Sequence, residues 1–184
     1  MAAPRIALTD EDDWDDETRG LLDLSGRLNI FRALAHHPKL LKRWLVFGSH
    51  VLNKSTLPAR ERELVILRVG WRCDSEYEFA QHTVIGLREG LTEDEVRRVT
   101  LPVEHGGWDP ADADLLRAVD ELIDDRRIGD ATWSALTGRF STQQVMDLVF
   151  AVGQYVMTCM ALRTFEVPLD EGLPGFPEQA EDPS

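Results

Sequence analysis

The chain predicts an all-α fold, a single-domain helical bundle of about six to eight helices. Three observations carry that expectation. Apolar residues recur at helical spacing, most clearly at Val145, Leu148, Val152, Tyr155, Cys159 and Leu162. Helix starts are marked by Pro38, Pro58 and Pro110 and by the pairs Thr92/Glu95 and Ser141/Gln144. No segment reads convincingly as a strand. The 184 residues suit one domain with a real core, and no linker or internal repeat divides them.

Asp15–Leu24 reads as a short acidic helix. RLNIFRALAHHP follows as a turn-rich segment anchored by Leu28, Ile30, Phe31 and Leu34. Pro38 opens a helix to about Leu52, with Leu41, Trp44, Leu45, Phe47 and Gly48 on its inner side. Pro58 opens the next. There Leu64, Val65, Ile66, Leu67, Val69 and Trp71 are apolar on most sides, which marks a central, buried helix. Ser75 opens a helix that Gly90 stops. A capped helix runs to Thr100, and the irregular loop TLPVEHGGWDP leads to a helix from Asp109 to about Asp125. Ala131–Leu136 is brief. The last long helix spans about 142–164, and the tail 165–184 is rich in proline and glycine and reads as extended.

Charge limits the function. The net charge of −13 argues against nucleic acid and against anionic membranes, which demand a basic surface. Seven acids fall within Asp10–Glu17, read as solvated surface. No apolar run reaches the roughly 18–20 residues of a membrane span, and the acidic N-terminus lacks the pattern of a signal peptide. A cytoplasmic location is expected. Cys73 and Cys159, 86 residues apart, form neither a metal framework nor a CxxC motif, and both are expected as thiols. His36-His37 lack ligand-spaced partners, so no metal and no other cofactor is expected.

The segment LPARERELVILRVGWRCDSEYEFAQH, Leu57–His82, holds the chemistry. Ser75, Glu78 and His82 follow i, i+3, i+7 spacing and share one helical face. Glu63 lies 19 residues before His82, in the apolar helix. If the two helices pack antiparallel, Glu63 and His82 reach similar heights along the pair. A buried carboxyl needs a partner, and a carboxylate beside an imidazole makes an acid–base couple able to work near neutral pH. A plainer alternative is that Ser75-x-x-Glu78 is a capping box and Glu78/His82 a surface pair. Arg60, Arg62, Arg68 and Arg72 are the nearest cations for an anionic substrate. Arg68, set in an apolar stretch, needs a partner. Trp108 could wall a pocket, and Cys73 lies beside the proposed site.

These residues resemble the carboxymuconolactone decarboxylase family, which includes the alkylhydroperoxidase D-like proteins. The likeness is carried by Asn29-Ile30-Phe31, His37-Pro38, Leu57-Pro58-x-Arg60-Glu61-Arg62-Glu63-Leu64, Ser75-x-Tyr77-Glu78-x-x-x-His82 and Gln154-Tyr155, over roughly residues 25–165. The resemblance implies an alkylhydroperoxidase D-like helical bundle that assembles into trimers or hexamers, with pockets near subunit interfaces. The peroxidase branch carries Cys-x-x-Cys-x-x-x-His. Here Ser75 and Glu78 stand at the cysteine positions, so the chain looks closer to the decarboxylase branch.

The leading expectation is a cofactor-independent acid–base enzyme, a decarboxylase or isomerase, acting on a small carboxylated lactone or keto acid. Glu63, Glu78 and His82 would be catalytic, with Ser75, Arg68, Trp108 and Cys73 binding substrate. The alternatives are a thiol-dependent peroxidase using Cys73, which lacks a resolving partner nearby in sequence, and a non-catalytic oligomeric binding protein.

Overall fold

The computed structural model describes residues 4–177. Among them there are nine α-helices and no strand: α1 (Asp16–Ser25), α2 (Asn29–Leu34), α3 (Pro38–Asn53), α4 (Ala59–Arg72), α5 (Glu76–Arg88), α6 (Glu93–Arg98), α7 (Pro110–Asp124), α8 (Asp130–Thr137) and α9 (Thr142–Phe165). The expected all-α fold is present, with one helix beyond the expected range. The additional helix is α2, in the segment read as turns. Its N-cap, Leu28, supplies no side-chain hydrogen bond, and its stability comes instead from burying Ile30 and Ala33 against Tyr77, Leu162 and Val167.

The capping signals act as expected. Thr92/Glu95 and Ser141/Gln144 form complete capping boxes, and Asp109 accepts from the backbone N–H groups of Ala111 and Asp112. Gly90 stops α5 with φ +105°, in the left-handed region. The loop before α7 contains a short 3₁₀ turn, Val103–His105.

α4 is the central element. Every residue from Arg62 to Gly70 is buried. One side packs with Leu115, Val119, Leu148, Val152 and Tyr155, and the other with Phe79, Leu91, Val99 and Leu116. α5 returns antiparallel to α4 across a tight turn, and glycines at both ends of the pair let the two backbones approach. A Cβ on Gly70 would lie 3.1 Å from the Phe79 amide nitrogen, and one on Gly86 would lie 2.9 Å from Leu91 Cδ1 and 3.5 Å from Glu63 Cβ. This close approach sets the height at which α5 side chains meet Glu63.

α4 and α7 run parallel and are laced by a ladder of ion pairs. Arg60 forks onto Asp112 at 2.7 and 3.0 Å and also pairs with Glu95. Arg68 forks onto Asp120 at 2.6 and 2.8 Å, and Arg72 reaches Asp124 at 2.8 Å. Part of the acidic surplus is thereby used inside the fold.

α9 is long and apolar enough, by length and composition, to cross a membrane, unlike the expectation from short apolar runs. Half of its most apolar window is buried within the protein, as in a core helix. Beyond α9 the chain folds back over α2 and α5. Asp170 accepts from the Asn29 amide, from Gln81 Nε2 and from the Tyr77 hydroxyl, and Phe176 sits edge-on to Trp71 at 5.3 Å. The expected extended tail is therefore docked as far as it is described; residues 178–184 lie outside the described residues. Phe47, expected on the inner side of α3, is exposed and meets Phe150 of α9 edge-on at 6.2 Å.

Candidate active site

α4 supplies Glu63, α5 supplies Glu78 and His82, and α9 supplies Tyr155. Glu63 is fully excluded from solvent and would be costly there without partners. It has two. His82 Nδ1–H donates to its Oε2 at 2.6 Å, and Arg62 Nε–H donates to its Oε1 at 3.1 Å. At the other side of the imidazole, Nε2–H faces Glu78 Oε1 at 3.1 Å, one helical turn earlier on α5. Arg62, Glu63, His82 and Glu78 thus form one buried row of alternating charge.

Burial alone would push the His82 imidazole down. The charge and hydrogen bond of Glu63, followed by those of Glu78, outweigh it and hold the group up at about 9. At neutral pH His82 is therefore an imidazolium, a proton donor with both N–H groups already directed at carboxylates. The sequence points to a couple balanced near neutrality; Glu63, with Glu78 adding to it, holds the imidazole in its acid form instead.

The Tyr155 ring stands edge-on to His82, with centroids 4.9 Å apart and planes at 84°. Burial, then the charges of Glu78 and Glu63, raise the Tyr155 phenol well above its ordinary range, so it stays a neutral hydroxyl. Ser75 occupies the N-cap position of α5 yet caps nothing with its side chain. Its Oγ is buried without a hydrogen-bond partner among the described residues. The capping-box alternative is not adopted: Glu78 turns to His82, and the Ser75 side chain makes no cap.

Glu63, Glu78, His82 and Ser75 are thus gathered on facing sides of α4 and α5. The polar contacts of Arg68 are made elsewhere. Besides its fork onto Asp120, its Nη1 donates to the carbonyls of Val99 and Leu101, so the guanidinium is committed to the α4–α7 contact. A substrate-binding role for Arg68 does not fit that placement. Trp108 packs with the Phe79 and Leu116 cluster and lies under the Arg98 guanidinium at 4.4 Å. Cys73 ends α4 and packs against the core cluster that holds Cys159.

Two participants were not singled out from the sequence. Arg62 is read in the sequence as one of several nearby cations and as part of the family motif, without a role of its own, although its position next to Glu63 is visible. Tyr155 is read as an apolar position of the last helix and, with Gln154, as part of the family likeness, without a role at the site. Nothing in the spacing shows that α9 crosses at the level of His82.

Residues 38–121 match the carboxymuconolactone decarboxylase family. That span contains α3 to α5, the whole charged row and most of α7. No curated protein matches the chain. Among solved structures, an uncharacterised peroxidase-related protein with an alkylhydroperoxidase AhpD core, from Ralstonia eutropha JMP134, superposes with a TM-score of 0.81 at 14% identity, over 93% of this chain and 94% of that one. An uncharacterised peroxidase-related protein from Silicibacter sp. TM1040 gives 0.81 at 15% identity, with the same coverage of both chains. A protein of unknown function from Agrobacterium tumefaciens, with a suggested AhpD antioxidant role, gives 0.69 at 17% identity, over 74% of this chain and 94% of that one. At these identities the likeness is one of fold. With Glu63, Glu78 and His82 inside the matched segment and an AhpD-like bundle around them, the chain is similar to the carboxymuconolactone decarboxylase family over residues 38–121 and has the AhpD-like fold.

Proposed function

We propose that the protein is a cofactor-independent acid–base enzyme that decarboxylates a small carboxylated lactone or keto acid. The observation that carries this reading is His82, held as a buried imidazolium between Glu63 at 2.6 Å and Glu78 at 3.1 Å. Loss of CO2 from a carboxylate leaves a carbanion or enolate, and one proton completes the product. A site poised in its acid form at neutral pH suits that step. Glu63, backed by Arg62, orients the ring through Nδ1. The Nε2 side, shared with Glu78, is where a proton passes to the substrate. The Ser75 hydroxyl and the Tyr155 phenol are neutral donors for the developing oxyanion. An isomerisation that protonates the same enolate would use the same groups.

The Cys-x-x-Cys pair of the peroxidase branch is replaced by Ser75 and Glu78, so this chain has no dithiol at those positions. Glu63, Ser75, Glu78 and His82 are all buried within the single chain, and in this proposal the substrate's entry is completed between copies of the chain. A homo-oligomer, trimer or hexamer, in the cytoplasm is part of the proposal.

The test is incubation of the purified protein with 4-carboxymuconolactone and related enol-lactones and keto acids, following substrate loss and CO2 release. His82→Ala is expected to lose about 10²–10⁴-fold in turnover, the usual worth of a proton-transfer residue. Turnover that survives the substitution removes His82 from the mechanism. Tight binding of these compounds without turnover points to a binding protein instead.

A further inference from the structure

The two cysteines, far apart in sequence, meet in space. Cys73 is the C-cap of α4 and half-buried; Cys159 is buried in α9. Cys73 packs on the cluster that contains Cys159, and the two thiols are close enough for each to shift the other's acidity. Arg163, one turn beyond Cys159, secures this arrangement. Its guanidinium donates to the Cys73 carbonyl at 3.1 Å and pairs with Asp74 Oδ2 at 2.7 Å. Asp74 itself has φ +51°, a conformation that side chains other than glycine rarely adopt. The turn is thus tied to α9 at two points, and the sulfurs are brought together by a fixed scaffold. Ser75 is a further neighbour of the Cys159 thiol.

The pair is asymmetric. The hydrogen bond from Cys159, with help from the charges of Arg72 and Arg163, draws the Cys73 thiol below its ordinary value against the effect of burial. The same hydrogen bond, together with burial and Glu78, pushes Cys159 far up. The outer thiol is the more acidic of the two and the inner one keeps its proton, the division of labour between an attacking and a resolving cysteine.

We propose that Cys73 and Cys159 form a reversible, hydroperoxide-driven disulfide that ties the end of α4 to α9. The pair adjoins positions 75 and 78 but uses neither side chain in its chemistry, and it does not rest on the acid–base reading. The Cys73 sulfur attacks the terminal oxygen of a hydroperoxide. The O–O bond breaks, the alcohol (or water) leaves with a proton, and Cys73 becomes a sulfenic acid. The Cys159 sulfur then attacks the Cys73 sulfur, and water is released with the Cys159 proton. The two electrons taken by the hydroperoxide are returned by an external dithiol through thiol–disulfide exchange.

The test uses the full chain, reduced and freed of reductant, then treated with one equivalent of hydrogen peroxide and alkylated. Intact mass and a non-reducing digest are read before and after dithiothreitol. The expected result is loss of two hydrogens from the monomer and a linked peptide joining Cys73 to Cys159, both reversed by dithiothreitol. Cys159→Ala should leave a sulfenic acid on Cys73 that dimedone traps, and Cys73→Ser should leave Cys159 unmodified. Full alkylation of both cysteines after peroxide, cross-linking only between chains, or oxidation of Cys159 in Cys73→Ser would each overturn the proposal. The wild-type linkage decides the matter even if a variant folds poorly.

Discussion

At the scale of the residue, the central fact is a histidine whose charge is written into the fold. Its ordinary pKa of 6.5 is raised to about 9 in the folded chain because two carboxylates outweigh burial. A raised folded-state value means that the charged form is favoured by folding. The resulting stability is fully present below about pH 6.5 and is lost as pH rises through about 9. Urea midpoints of the wild type should therefore fall between about pH 6.5 and 9.5 relative to those of His82→Gln. Parallel curves for the two proteins would mean that His82 is not held charged. Much of this site was legible. The i, i+3, i+7 spacing aligned Ser75, Glu78 and His82, and a lone glutamate in an apolar helix asked for a partner. What the spacing left open was the choice between a cap and a site. That choice was made by geometry: Glu78 reaches back to His82 Nε2 at 3.1 Å, and Ser75 Oγ makes no cap.

At the scale of the element, α4 and α5 act as one unit, and their spacing is set by missing side chains. Gly70 faces the Phe79 backbone, which cannot yield as a flexible side chain can. Gly70→Ala should cost about 1–3 kcal/mol, the range of overpacking in a tight core, and should also lengthen the Glu63–His82 contact. Chemical denaturation measures the first effect, and a downward shift of the His82 titration by NMR measures the second. An unchanged midpoint would show that the crossing tolerates a methyl group. The helix starts and stops were readable because caps are local chemistry. α2 was not, because Asn29–Leu34 has no side-chain cap and is held by contacts from Tyr77, Leu162 and the returning tail. Arg68 shows the same limit. Its need for a partner was evident, and the partner, Asp120, lies on a helix 52 residues on.

At the scale of the whole molecule, two helices leave apolar surface uncovered. Val46 and Phe47 of α3 and Met146, Phe150, Met157 and Met160 of α9 are exposed, with Met160 at 63% and Phe150 at 56%. A soluble monomer seldom leaves so much apolar surface together, and the proposed homo-oligomer would cover it. Phe150→Glu combined with Met160→Glu should lower the assembled mass in light scattering behind size exclusion, with helical content retained. Retention of the oligomer by the double variant would place the interface elsewhere. A chain of net charge −13 also gains solubility from its charged surface.

The sequence by itself determined the all-α class and most helix boundaries, through periodicity and caps, the family likeness, through its motifs, and the shared face of Ser75, Glu78 and His82, through spacing within one helix. The tertiary structure decided everything that depends on distant elements meeting. It set Tyr155 against His82, gave Arg68 to Asp120, docked the tail on α5 and brought Cys159 to Cys73. The physical reason is reach. A helix turn relates residues three or four apart, whereas the contacts across α4, α7 and α9 exist only once burial of the shared core has fixed how those helices cross.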